Sequence, residues 1–210
     1  MFGLIIGGIS SVLSVVAKLA PAVIKIVGTE LINLAKAIEA FCIALGILKP
    51  DEEVEDIGDK ALQAEQDEVN PIKPEDFDSY EQYLEKLKEY ELDPEKSGKI
   101  TQEQKLQKGV EVMMGLTIEK LGEAMATLYP LILRDPVFYG TPGRLEGIAK
   151  AVQNDKETFD DIVGYISGKS HDSVRNDKAF DALFDVEKAI TPDAPDREIM
   201  ATVSGMQGKK

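Results

Sequence analysis

Few side chains in this sequence have the type and spacing that chemistry needs. Among its 210 residues His171 is the single histidine and Cys42 the single cysteine. Structural zinc takes about four Cys or His ligands, so no such site can be built, and an internal disulfide is excluded as well. A Ser-His-Asp or Cys-His nucleophile would have to rest on His171. That residue stands beside Asp172 in a polar turn with no Ser or Cys in a matching setting, and it reads as a surface or helix-start residue. Glu119 and Glu123 share a helix face, as di-metal carboxylate bundles require, but the Glu-x-x-His pairs of such sites do not occur. Gly164-Tyr-Ile-Ser-Gly-Lys-Ser170 falls one residue short of a phosphate-binding loop and follows no strand. Gly168 reads instead as a helix C-cap. No acid/base pair or nucleophile stands out, and the expectation is a protein that is not an enzyme.

The richest run of oxygen donors is Asp93-Pro-Glu-Lys-Ser-Gly-Lys-Ile-Thr-Gln-Glu-Gln104. It resembles an EF-hand loop between two helices. The resemblance implies calcium ligands at Asp93, Glu95, Ser97 and Thr101, a backbone carbonyl ligand at Lys99, and a turn at Gly98. Gln104 departs from the pattern, because it stands where the family has a Glu that gives calcium two oxygens. An amide offers one oxygen and no charge, so calcium binding is expected to be weak or absent. No second loop of this kind occurs, and no other cofactor is expected. Without a metal the same residues are turn chemistry between helices.

Charge sorts the chain into parts. Twenty-four basic against 38 acidic side chains give −14 overall, which disfavours binding to a phosphate backbone, so no nucleic acid partner is expected. Residues 1–49 hold Lys18, Lys25, Lys36 and Lys49 against Glu30 and Glu39, a net of +2, leaving −16 to the remainder. Segments so different usually meet different surroundings. The first seventeen residues carry no charge. They lack the basic start of a secretory signal, and apolar character continues to Leu48, so no cleavable signal is recognised. Cys42 follows Glu39-Ala-Phe and reads as a buried thiol.

Within this apolar quarter the polar and small positions are Gly7, Ser11, Ser14, Lys18, Lys25, Thr29, Asn33 and Lys36. Their spacing follows one narrow line along a helix. A broad apolar surface with one thin polar line has three fates. It lies in a bilayer interface, it bundles with copies of itself, or it is the core of an ordinary globular fold. Gly3 and Gly7, with Ser10, Ser11 and Ser14, favour close helix contact.

The opening Met1-Phe-Gly-Leu-Ile-Ile-Gly-Gly-Ile-Ser-Ser-Val-Leu13 resembles the start of microvirus DNA pilot proteins. Those are minor virion proteins that form a helical conduit and act at the host envelope. The resemblance covers residues 1–19 and implies virion or injection machinery; no long polar coiled-coil repeat follows it.

The elements that must position these residues are all helical. Residues 50–74, with nine acidic side chains between Asp51 and Glu68 and prolines at 50, 71 and 74, read as an acidic, solvated linker or a short polar helix between two parts. The spacing predicts helices over 75–92, with Phe77, Tyr80, Leu84 and Leu87 on one face, and over 102–128, ended by Tyr129-Pro130. Three more are predicted over 145–152, 156–167 and 173–190. Glycines 109, 115 and 122 mark close helix approach. Residues 191–210 read as a flexible tail. The expectation is an all-α fold, with an apolar N-terminal helix or helical hairpin (1–49) and an acidic helical domain (75–190). The expected function is a non-catalytic structural subunit, membrane-active or embedded in an assembly, in a homo-oligomer. Its residues 1–49 would meet a lipid bilayer or copies of itself, and the acidic domain a protein partner. The expected location is a membrane or a large particle. The alternatives are a calcium-responsive EF-hand-like module and a soluble helical adaptor.

Overall fold

In the computed structural model, which describes residues 8–154 and 156–207, twelve α-helices and no strand are found among the described residues. The helices are α1 (Gly8–Val23), α2 (Gly28–Ala44), α3 (Val54–Glu65), α4 (Tyr80–Glu89), α5 (Pro94–Ser97) and α6 (Gln102–Leu121). They continue as α7 (Glu123–Arg134), α8 (Pro136–Tyr139), α9 (Arg144–Asn154), α10 (Lys156–Ile166), α11 (Ser173–Ile190) and α12 (Asp196–Met206). The fold is all-α, as the periodicity predicts.

α6 is the axis of the fold. A reciprocal cap starts it: Thr101 Oγ1 accepts from the Gln104 amide at 3.2 Å, and Gln104 Oε1 accepts from the Thr101 amide at 2.9 Å. It then buries ten residues between Leu106 and Ile118, spread around the helix rather than along one stripe, as a helix surrounded by others must. α1, α2, α3, α4 and α7 all pack on it. α9, α10 and α11 extend the core away from it, with Leu145, Ile148, Phe159, Ile162 and Leu183 buried.

Several expectations are corrected. Residues 50–74 are not a solvated linker, because α3 lies at their centre and makes the most extensive helix pairing with α6. Val54, Ile57, Ala61 and Ala64 are buried at helical spacings of three, four and three, while Asp51, Glu53 and Asp56 point outward. Asp56 lies on the outer side of an amphipathic helix, with Asp51 and Glu53 just before it, while Asp59 is buried. The two helices approach to backbone contact: a Cβ added to Gly58 would sit 1.8 Å from the Lys105 carbonyl oxygen, and one on Gly109 would sit 2.0 Å from that of Val54.

The helix predicted over 102–128 breaks at Gly122, whose φ of 71° lies in the left-handed region that glycine enters without a Cβ penalty. α7 then runs through Pro130 instead of ending there. Pro130 is exposed, while Leu128, Tyr129, Ile132 and Leu133 on either side are buried. Packing of that apolar face holds the helix across the missing amide. The tail is not loose either: α12 buries Ile199, Val203 and Met206 against α11.

Residues 8–44 form two helices, joined by a bend over residues 24–27, and both contribute to the core. Leu31, Leu34, Ile38, Phe41 and Cys42 of α2 are at most 1% exposed. α2 packs on α6, α8 and α9, and α1 packs on α6 and α7.

Candidate functional site

The twelve-residue run from Asp93 to Gln104 is occupied with local structure. Asp93 caps α5, its Oδ1 accepting from the Glu95 amide at 2.8 Å and the Lys96 amide at 3.4 Å. Thr101 and Gln104 spend their side chains on capping α6. Glu95 and Lys99 are exposed. Ser97 turns inward and donates to Asp59 of α3. The six loop residues therefore do not converge on one point. Among the described residues no group of three or more His, Cys, Asp or Glu is placed to hold a metal ion.

Around Asp59 stands a buried polar hub that sequence reading did not find. Asp59 is 3% exposed. Lys105 Nζ lies 2.7 Å from its Oδ2, and Gln63 Nε2 donates to its Oδ1 at 2.9 Å. Lys105 also donates to Ser97 Oγ at 2.8 Å, and Gln63 Oε1 accepts from the Asp93 amide at 2.9 Å. Burial alone would push the Asp59 carboxyl up. The hydrogen bonds from Lys105, Ser97 and Gln63, with the Lys105 charge, outweigh it and hold the carboxyl below its ordinary range. Serine, lysine and carboxylate are thus in contact, but the lysine is bound as the cation of an ion pair. The grouping joins α3, α5 and α6; it does not activate the hydroxyl.

Ion pairs around Lys108 and Arg144 do similar work. Lys108 of α6 lies 2.7 Å from Glu65 and 3.2 Å from Glu111. Burial lowers its affinity for the proton, but the two carboxylates outweigh burial and raise it above the usual lysine value. Arg144 makes a two-pronged pair with Glu187, Nε to Oε1 at 2.5 Å and Nη2 to Oε2 at 2.7 Å, and lies 3.7 Å above the Phe138 ring. Glu187 offered a sequence signal, because it falls among Leu183, Val186 and Ile190 on the face α11 turns inward.

The other candidates are spent on structure. Glu119 caps α4, accepting from the Tyr80 and Glu81 amides at 2.9 and 3.2 Å, while Glu123 is exposed at the start of α7. Cys42 is fully enclosed, and burial pushes its thiol far up, away from the reactive thiolate. His171 is exposed, and Gly168, at φ 68°, closes α10, with the Lys169 and Ser170 amides donating to the Gly164 carbonyl. A cavity of about 10 Å³ between Phe138, Tyr139, Ile166 and Met206 has room for one water and for no substrate.

The outer surface of α1 and α2 is the more distinctive feature. α1 carries one charge, Lys18, in sixteen residues. Only Val12, Val16 and Val23 are buried; Ser10, Ser14, Ala17, Lys18 and Pro21 are exposed and Ser11 is half-buried. At the bend Ile24 is 62% and Val27 54% exposed. Gln107 grips that bend by donating to the Ile24 and Ile26 carbonyls at 3.1 and 3.3 Å, and Glu103 accepts from the Gly28 amide at 3.0 Å. α2 then exposes Thr29, Asn33 and Lys36. Ser14, Lys18, Lys25, Thr29, Asn33 and Lys36 therefore do face solvent, Ser11 is half-buried, and Gly7 lies outside the described residues. They do not form one continuous line, because the bend and the left-handed Gly28 reset the register between the helices. A scan of family models and searches of curated proteins and solved structures find no match to this chain.

Proposed function

We propose that the protein is a non-catalytic structural subunit that self-associates through the outer surface of α1 and the bend that follows it. One observation carries this reading. In a chain of net charge −14, a peripheral sixteen-residue helix exposes small and apolar side chains with a single charge, and it runs directly into an exposed Ile24 and Val27. Sparsely charged surfaces of this kind mark contact sites. The internal polar groups support it from the other side, since the Asp59, Lys108 and Arg144 clusters bind elements of the fold to one another.

No helix among the described residues is long and apolar enough to cross a membrane.

The test is the mass of the full chain in solution by light scattering, with flotation on phosphatidylcholine vesicles alongside. A defined oligomer that does not float supports the proposal. A monomer that floats moves the function to a lipid surface. A monomer indifferent to lipid leaves the soluble adaptor, with a different protein on that face.

A further inference from the structure

The acidic charge is concentrated in one stretch of the fold. Residues 50–99, which supply α3, α4 and α5, hold eighteen acidic against six basic side chains, so −12 of the net −14 sits there. Asp51, Glu53, Asp56, Glu81 and Glu85 are exposed on α3, on α4 and just before α3. The first 49 residues run the other way. Of their two acidic side chains, Glu39 is turned inward, accepting from the Val54 amide at 2.9 Å. The outer surface of α1, the bend and α2 therefore shows Lys18, Lys25 and Lys36 against Glu30 and the Glu103 carboxylate that α6 places on the Gly28 amide. None of these three lysines forms an ion pair with a described residue.

Resting on the self-association proposed above, we infer that the contact is head to tail: the α1–α2 surface of one copy lies on the acidic α3–α4 surface of the next. The argument is one of exclusion by charge. A symmetric contact of α1–α2 with itself sets lysines against lysines. A symmetric contact of the acidic faces is worse, in a chain that already repels its copies. Only the unlike pairing places opposite charges together, and electrostatic complementarity of that kind fixes which surfaces meet. Ile24 and Val27 supply the apolar part of the contact, and Lys25 between them supplies the charge. Because the two surfaces differ, a one-way contact generates a ring or an open filament, and a reciprocal one closes a pair.

The experiment is sedimentation of the full chain at about 0.02 M and about 0.5 M salt, where screening differs severalfold. Two variants accompany it, each confirmed as folded by circular dichroism. The head variant combines Lys18→Glu, Lys25→Glu and Lys36→Glu; the tail variant combines Glu53→Lys, Glu81→Lys and Glu85→Lys. All six positions are exposed, so the core is untouched. The inference expects large species at low salt and a mass at least halved at high salt. It expects each variant alone near the 23.0 kDa monomer, and a one-to-one mixture of the two at twice that mass or more, since the tail of one meets the head of the other and the two reversed faces are again opposite in charge. A wild-type assembly indifferent to salt and to both variants overturns head-to-tail pairing while leaving self-association intact. A mixture that stays monomeric also overturns it. A wild type that is monomeric at both salts overturns the inference and the self-association together.

Discussion

Replacing Gly109 by alanine tests the α3–α6 packing directly, because two effects of opposite sign act at one atom. In an exposed helix interior the change would stabilise by about 1 kcal/mol through helix propensity. Here the new Cβ would stand 2.0 Å from the Val54 carbonyl oxygen and 2.7 Å from Val54 Cγ1, where ordinary contact begins at 3.4 Å. The nearest atom is backbone, so no rotamer relieves it, and α3 itself must withdraw. Withdrawal loosens Val54, Ile57, Ala61 and Ala64 and strains the Lys105–Asp59 pair. Overpacking of a tight core costs about 1–3 kcal/mol and more where backbone must move, so the clash wins over propensity. The expected net loss is about 2–4 kcal/mol, or a fall in Tm of about 5–15 °C at this chain length. Thermal and urea unfolding followed by circular dichroism measure it. Gly205→Ala is the control, since its Cβ would meet nothing within 4 Å, and it should be neutral or slightly stabilising. A Gly109→Ala protein as stable as the control would refute the close crossing of α3 over α6.

A chain beginning at Pro50 should fail to fold, losing cooperative unfolding and gaining protease sensitivity, because it lacks Leu31, Leu34, Ile38 and Phe41 from the core; survival of a folded fragment would restore the picture of a separable N-terminal anchor. Asp59 makes acid stability a local property. Its carboxyl is lowered in the folded state, so its contribution is present above the unfolded carboxylate value of about 3.9 and is lost as pH falls through the folded value. Asp59→Asn should lower stability at neutral pH and flatten that part of the acid limb, and an unchanged acid limb would count against the hub. Calcium at about 1 mM should leave Tm unchanged in wild type and in Asp93→Ala alike, because Asp93 serves the Glu95 and Lys96 amides; a calcium-dependent rise lost in the variant would revive the calcium-responsive module.

Helices whose apolar residues keep strict helical spacing were legible from the sequence. The 173–190 prediction coincides with α11, and those over 145–152 and 156–167 fall on α9 and α10. α3 was hidden because nine acidic side chains crowd the stretch from Asp51 to Glu68, although the seam at 54, 57, 61 and 64 was there to be read. α12 was hidden by the prolines before it. The break at Gly122 and the bend after Val23 were hidden because a chain's apolar period says little about where a glycine turns left-handed. At the site, exposure of Ser14, Lys18, Lys25 and Lys36 followed from their spacing. The Asp59–Ser97–Lys105 hub did not, since α3 and the α5 turn meet across 38 residues of sequence, and nothing local records that meeting. The Arg144–Glu187 pair spans 43 residues and is of the same kind.

The central claim is that one helix serves as core on one side and as contact surface on the other. Ser14→Glu with Ala17→Glu charges only the outer side of α1, as both positions are exposed. Light scattering of this double variant beside wild type tests the claim most directly. The account predicts a wild-type oligomer and a monomeric variant of equal helicity and nearly equal Tm. An unchanged mass in the variant would contradict it.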